Sequence, residues 1–226
     1  LHDHFVACPR SFCAPKNGAV CPSDRELDEC LTCLSPDLPG WNKGEILRRL
    51  HDRRAALEAD ISAASEVYVP SRWLAESLER QVKLPKGRVH RIPHGLCEEL
   101  IPESLQGAED QDLSMASALE RTEPARPEGP LRILHFGNRA RVKGSLDLVR
   151  AVAALPKGSA KLIFYGREVE SGFDAELRRA AGGIELELRG EYRPEDLATI
   201  AAEADIAAFP SLASESYGLV VDEALA

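Results

Sequence analysis

The chain has 226 residues, 44% hydrophobic and 29% charged, and a formal net charge of −9. That length allows one large or two small domains with real cores. The acidic balance and the absence of a long Lys/Arg block argue against nucleic acid as a partner, and no stretch approaches the roughly 20 apolar residues of a membrane span. The opening Leu1-His2-Asp3-His4 has neither the basic start nor the apolar core of a signal peptide. It lacks an initiator methionine, and the chain stops at Glu223-Ala224-Leu225-Ala226, so it reads as an internal fragment of a longer protein.

In chain order, Cys8, Cys13, Cys21, Cys30 and Cys33 fall within 26 residues. Cys30-x2-Cys33 has the spacing of a metal knuckle, and Cys21 with Cys8 or Cys13 could complete a tetrahedral thiolate site, a candidate structural zinc. Free thiols are the plainer alternative. Residues 45–62 place Ile46, Leu47, Leu50, Leu57 and Ile61 among charges at helical spacing. Val67-Tyr68-Val69-Pro70 is a short strand, and Ser71 caps a helix over Arg72–Gln81. Arg88–Pro93 is a second strand candidate that ends at the turn His94-Gly95.

Residues 102–130 are acidic and rich in proline and small residues, so they read as a linker, with one helical turn at Met115–Leu119. Beyond it come four strand–helix repeats. Strands are predicted at Leu131–Phe136, Lys161–Tyr165, Ile184–Leu188 and Ala204–Pro210. Helices are predicted at Leu146–Leu155, Asp174–Ala181, Pro194–Glu203 and from Gly218 onward. Strictly alternating elements of this length indicate parallel α/β architecture of the doubly wound type.

In such sheets ligands bind beyond the carboxyl ends of the strands. Gly137-Asn138-Arg139-Ala140-Arg141-Val142-Lys143-Gly144 lies at one such end, with three cations and two glycines suited to a diphosphate, although a solvated basic loop would look the same. It does not fit the Gly-x4-Gly-Lys-Ser/Thr phosphate loop, which weakens an ATPase reading. Gly166 and Gly190 end two more strands. After Pro210-Ser211 come Glu215, Ser216, Tyr217, Gly218, Leu219 and Glu223, two carboxylates eight positions apart around a glycine. A glycine-opened helix start favours phosphates, and a carboxylate further along can accept from sugar hydroxyls.

The segment Pro210-Ser211-x3-Glu215-x-Tyr217-Gly218-Leu219-Val220-x2-Glu223 resembles the E-x7-E signature of glycosyltransferase family 4. The loop Gly137–Gly144 is similar to that family's Gly-Arg-x4-Lys-Gly loop, with Asn138 where the family has arginine. Leu1-His2-Asp3-His4-Phe5 followed by Cys8-Pro9-Arg10 resembles members with a His-Asp before Cys-Pro-Arg, and His94-Gly95 resembles the Pro-Asn-Gly loop before the domain linker.

The resemblance implies a GT-B fold, two Rossmann-like α/β domains facing a cleft, both incomplete here. Residues 1–101 would be the later part of the acceptor-side domain, 102–130 the linker and 131–226 most of the donor-side domain. It implies a retaining transferase that moves a sugar from a nucleotide-diphosphate donor to an acceptor hydroxyl of a glycan, a lipid-linked glycan or a small molecule. Surface polysaccharide or glycoconjugate synthesis in the cytoplasm is the implied setting, with peripheral contact at the inner membrane face and no cofactor for the catalytic step.

Lys143 with Arg139 or Arg141, and the N–H groups at Gly218 and Leu219, would meet the leaving diphosphate. The resemblance also places Gly137, Asn138, Gly190, Tyr192, Ser216 and Tyr217 along the donor, Glu215 on its sugar, Glu223 on the ribose and His2, in preference to His4, at the reacting centre. A reducing compartment would disfavour disulfides among the cysteines. Two rivals remain: a nucleotide-sugar epimerase of the same fold, and a catalytically inactive, metal-stapled binding module.

Overall fold

The computed structural model describes residues 1–10, 13–14, 21, 26–95 and 129–225. Most of the expected linker and its helical turn at Met115–Leu119 lie outside them, as does Cys97. The chain divides into two compact units, one of Leu1–Gly95 with Ser211–Gly218, the other of Leu96–Pro210 with Leu219–Ala226. Among the described residues no helix is long and apolar enough to cross a membrane.

The first unit holds helices α1 (Leu27–Leu34), α2 (Lys43–Ala63) and α3 (Arg72–Glu79) and the parallel strands β1 (Val67–Val69) and β2 (Val89–Arg91). Helix α1 is absent from the sequence-based expectation. It forms because Leu27, Leu31 and Leu34 share one face and pack on Ile46 and Leu50 of α2. Asn42 caps α2 by accepting from Glu45 N–H at 2.9 Å, and Ser71 caps α3 by accepting from Leu74 N–H at 3.0 Å. Ile61, Val67, Val69, Leu74 and Leu78 make the core between these helices and the strand pair.

The second unit carries β3 (Leu131–Phe136), α4 (Ser145–Ala153), β4 (Ala160–Tyr165), α5 (Phe173–Ala181), β5 (Glu185–Leu188), α6 (Leu197–Ala202), β6 (Ile206–Ala207) and α7 (Leu219–Leu225). All four strands are parallel, in the order β5-β4-β3-β6. Alternate strand residues face opposite layers. Ile133, Leu162 and Phe164 meet Val149 of α4 and Leu177 of α5, while Leu134, Phe136 and Ile163 meet Leu197 and Ile200 of α6 with Val220 and Ala224 of α7. Helices therefore cover both faces, and the unit is doubly wound.

The closing strand is shorter than Ala204–Pro210. Backbone pairing to β3 reaches one residue beyond it on each side, with Asp205 N–H donating to Arg132 O at 2.9 Å and Ala208 N–H to Leu134 O at 2.8 Å, and Pro210 cannot donate to a ladder. As an edge strand β6 also leaves Ile206 47% exposed rather than buried.

Candidate functional site

The sheet order reverses at β3. The chain runs outward through β4 and β5, then returns to lay β6 on the other side of β3. The carboxyl ends of β3 and β6 thus flank the topological switch point, where open α/β sheets bind ligands.

Three glycines draw the strand ends together. Gly137 N–H donates to Tyr165 O at 3.1 Å, and Gly166 N–H donates to Gly190 O at 2.9 Å. Gly166 has φ +122°, and a Cβ there would stand 2.0 Å from Gly137 O. Gly144 is equally confined: its φ is +70°, and a Cβ would stand 1.8 Å from Pro210 O. The lysine loop is thereby pressed against the end of β6.

Within that loop both arginines have protein partners. Arg139 is 5% exposed. Its Nε and Nη2 donate to the two Asp174 carboxylate oxygens, each at 2.7 Å, and its Nη1 donates to Gly166 O and Arg189 O. The side chain therefore ties the ends of β4 and β5 to α5. Arg141 forks onto the Glu176 carboxylate, its N–H donates to Glu170 Oε1 at 2.7 Å, and its guanidinium lies over the Phe173 ring. Both turn toward α5 because Asp174, Glu176 and Glu170 gather there, a pairing invisible at a sequence separation of 35 residues.

Lys143 closes the turn, its N–H donating to Ala140 O at 3.1 Å. Its charge acts on His135, a residue the sequence reasoning passed over. His135 is 3% exposed at the end of β3, and its Nδ1–H donates to Ala208 O at 2.8 Å. Burial first, then the Lys143 and Arg139 cations, push its pKa below the usual histidine value, so the ring is neutral. Asn138 is exposed beside Gly137.

Tyr192 and Glu223, 31 positions apart, are brought together. Tyr192 stands edge-on to Phe136 at 5.9 Å and to Tyr165 at 6.4 Å. Its pKa is pushed up to about 12, first by burial and then by the Glu223 carboxyl. Burial first, then Asp222, also raises the Glu223 carboxyl above the usual range. Leu219 opens α7 next to Gly218, whose φ is +91°.

Glu215, Ser216, Tyr217 and Gly218 group with the first unit. There Ser211 Oγ donates to Glu215 Oε1 at 2.7 Å, Ser71 Oγ donates to Ser216 O at 2.5 Å, and His94 stands 5.1 Å from the Tyr217 ring, edge-on. His94 and Ser71 are thus contact points for this loop, which the sequence reading treated as a turn marker and a helix cap. In the same unit the two histidines near the start differ sharply. His2 has an 84% exposed side chain with Nε2 3.4 Å from Asp3, while His4 is fully buried with both ring nitrogens lacking a hydrogen-bond partner.

None of Cys8, Cys13, Cys21, Cys30 and Cys33 is joined in a disulfide. Among the described residues no group of three or more His, Cys, Asp or Glu is placed to hold a metal ion. Cys30 and Cys33 lie on α1, and Cys8 Sγ accepts the Arg10 N–H at 3.4 Å.

Residues 130–226 match the family model of glycosyl transferases group 1. Among curated protein sequences no relative matches. Two crystal structures of the Anabaena protein Alr3699/HepE are similar in fold. The one in complex with UDP and glucose aligns at a TM-score of 0.51 and 19% identity, over 76% of this chain and 44% of that one. The one in complex with UDP-glucose aligns at 0.52 and 16% identity, over 87% and 55%. The chain spans about half the length of these structures. The likeness shows the fold, α/β units with parallel sheets of the GT-B kind.

Proposed function

We propose that the protein of which this chain is a part transfers a sugar from a nucleotide-diphosphate donor to an acceptor hydroxyl with retention of configuration. The observation that carries the reading is the family match over residues 130–226, which covers the unit whose switch point holds Lys143 and brings Tyr192 to Glu223. In the proposal Lys143 meets the negative charge that develops on the leaving diphosphate. Preorganised charge of this kind is worth a few kcal/mol per donor group. The Glu223 carboxylate accepts from ribose hydroxyls, and the Tyr192 ring flanks the base. Glu215 orients the donor sugar, and exposed His2 faces the reacting centre. The nearby structures hold UDP with glucose or UDP-glucose, which supports a nucleotide-sugar donor here.

The same proposal places the enzyme in the cytoplasm, building surface polysaccharide or glycoconjugate with peripheral membrane contact. The test is transfer of labelled sugar by the full-length protein from a panel of nucleotide sugars, with the product anomer assigned by NMR. Lys143→Ala and Glu223→Ala should each lower turnover about a hundredfold or more. Unchanged turnover in both variants, with donor still bound, would overturn the site assignment.

A further inference from the structure

His135 is 3% exposed in β3, between the buried apolar residues Leu134 and Phe136. An apolar side chain would fill that place without the cost of desolvating a polar ring, so what the imidazole adds is a hydrogen bond. Its Nδ1 stands 2.8 Å from Ala208 O, and because a carbonyl only accepts, Nδ1 carries the proton. Ala208 N–H donates to Leu134 O at 2.8 Å, so β3 holds Ala208 at both its N–H and its C=O. The ladder cannot continue through Pro210, which has no N–H. Phe209 between them stands edge-on to Phe136 at 4.8 Å and lies 5.9 Å from the His135 ring. Two residues past Ala208, the Pro210 carbonyl oxygen fills the space that a Cβ on Gly144 would need, 1.8 Å from that point. Gly144 directly follows Lys143 and donates its N–H to Arg141 O at 2.9 Å. The path from the imidazole to the lysine therefore runs through packed backbone.

We propose that His135 is a positioning residue of the donor site: its hydrogen bond to Ala208 sets where Pro210 presses on Gly144, and so where Lys143 is presented to a nucleotide diphosphate. This rests on the reading of Lys143 as the group that meets the diphosphate. The role is orientation alone, and the imidazole passes no proton to the substrate. A preorganised charge acts from the place where it is held, and a displacement of about 1 Å is already costly. Without the Nδ1 donor the Ala208 carbonyl turns elsewhere and carries Pro210 away from Gly144.

Calorimetric titration of the full-length protein with UDP, GDP, ADP and dTDP, and with the matching nucleosides, tests this on two variants confirmed as folded by circular dichroism. His135→Phe keeps a ring beside Phe164, which lies 4.9 Å from the imidazole, and removes the donor. His135→Asn removes the ring and keeps an amide N–H where Nδ1 stood. The diphosphate that the unaltered protein binds should bind His135→Phe about tenfold more weakly and His135→Asn within about threefold. The matching nucleoside should bind both variants as it binds the unaltered protein. A purely structural role would instead follow stability, leaving Asn, which loses the ring packing, no better than Phe. Equal losses in the two variants, or an equal loss for the nucleoside, would overturn the proposal. A measurement without substitution stands beside these: with isotope-labelled histidine, the His135 Nδ1 resonance should be that of a protonated nitrogen and should shift when the diphosphate is added. A bare Nδ1, or an unmoved resonance, would overturn the proposal as well. Failure of the unaltered protein to bind any of the four diphosphates is the separate result that overturns the donor-site reading itself.

Discussion

Gly144 and Pro210 touch backbone to backbone, at the two strand ends that flank the switch point of the second unit. A Cβ on Gly144 would stand 1.8 Å from the Pro210 carbonyl oxygen and 2.7 Å from its carbonyl carbon, at φ +70°. Neither atom belongs to a flexible side chain, so nothing can give cheaply. Gly144→Ala should therefore lose about 1 kcal/mol for the left-handed backbone and ~1–3 kcal/mol more for the overlap. Gly158→Ala is the control, because Gly158 shares the conformation at φ +77° with nothing within 4 Å. It should lose only about 1 kcal/mol. Urea unfolding of both variants decides the matter: equal losses would mean that the Gly144–Pro210 contact carries no constraint.

Arg139 and Arg141 make different predictions despite adjacent places in one loop. Arg139 is buried and forked onto Asp174, so Arg139→Ala removes four donated hydrogen bonds and strands the Asp174 carboxylate. A loss of about 3–5 kcal/mol is expected. The Arg141 side chain is 49% exposed, and its pair with Glu176 should be worth about 1 kcal/mol or less. Thermal or denaturant unfolding of the two alanine variants gives the comparison. A small loss at Arg139 would show that its guanidinium is not the tie between the strand ends.

The strands and helices of the second unit were legible because their apolar runs are long relative to their loops, as in Leu131–Phe136 and Lys161–Tyr165. Gly137, Gly166 and Gly190 were equally legible as strand ends. What could not be read was the partner of each loop cation, because Asp174 and Glu176 lie on a helix a full strand–helix repeat away. The local pattern offered three cations for a diphosphate, and the fold gives Arg139 and Arg141 carboxylate partners that the pattern did not show. Helix α1 was hidden differently. Its spacing of Leu27, Leu31 and Leu34 was visible, but Cys30 and Cys33 drew the reading toward metal ligation. The proximity of Tyr192 to Glu223 needed the fold, since α7 packs back on the face that α6 covers.

Acid should weaken the second unit through His135. Its pKa is lowered in the folded state, so the unfolded chain binds the proton more tightly. Stability is then full above the unfolded value of about 6.5 and falls as pH drops below it, until the folded pKa is passed. His4 is lowered by burial too and adds a slope of the same sign. His135→Phe should cost stability at every pH, because the Ala208 carbonyl loses its donor, yet flatten the fall below about pH 6.5. Unfolding free energy measured across that range supplies the slope. An unaltered slope in His135→Phe would mean that the ring titrates normally.

Glu223 gives the opposite sign and couples stability to ligand binding. Burial and Asp222 raise its carboxyl, so the folded chain holds that proton more tightly than the unfolded one. Ionising it therefore costs stability as pH rises from the usual glutamate value of about 4.3 through the folded pKa. Donor binding should run the other way, because only the carboxylate offers full acceptor capacity to ribose hydroxyls. Affinity for UDP, measured by calorimetry on the full-length protein, should then rise over the same interval in which stability declines. Glu223→Gln should remove both trends, leaving stability higher at neutral pH and UDP affinity lower and flat with pH. Tyr192→Phe keeps the ring that packs on Phe136 and removes the hydroxyl, so it should leave the pH trend of Glu223 in place. If UDP affinity in the unaltered protein shows no dependence on pH above about 4.3, Glu223 does not accept from the ligand as a carboxylate.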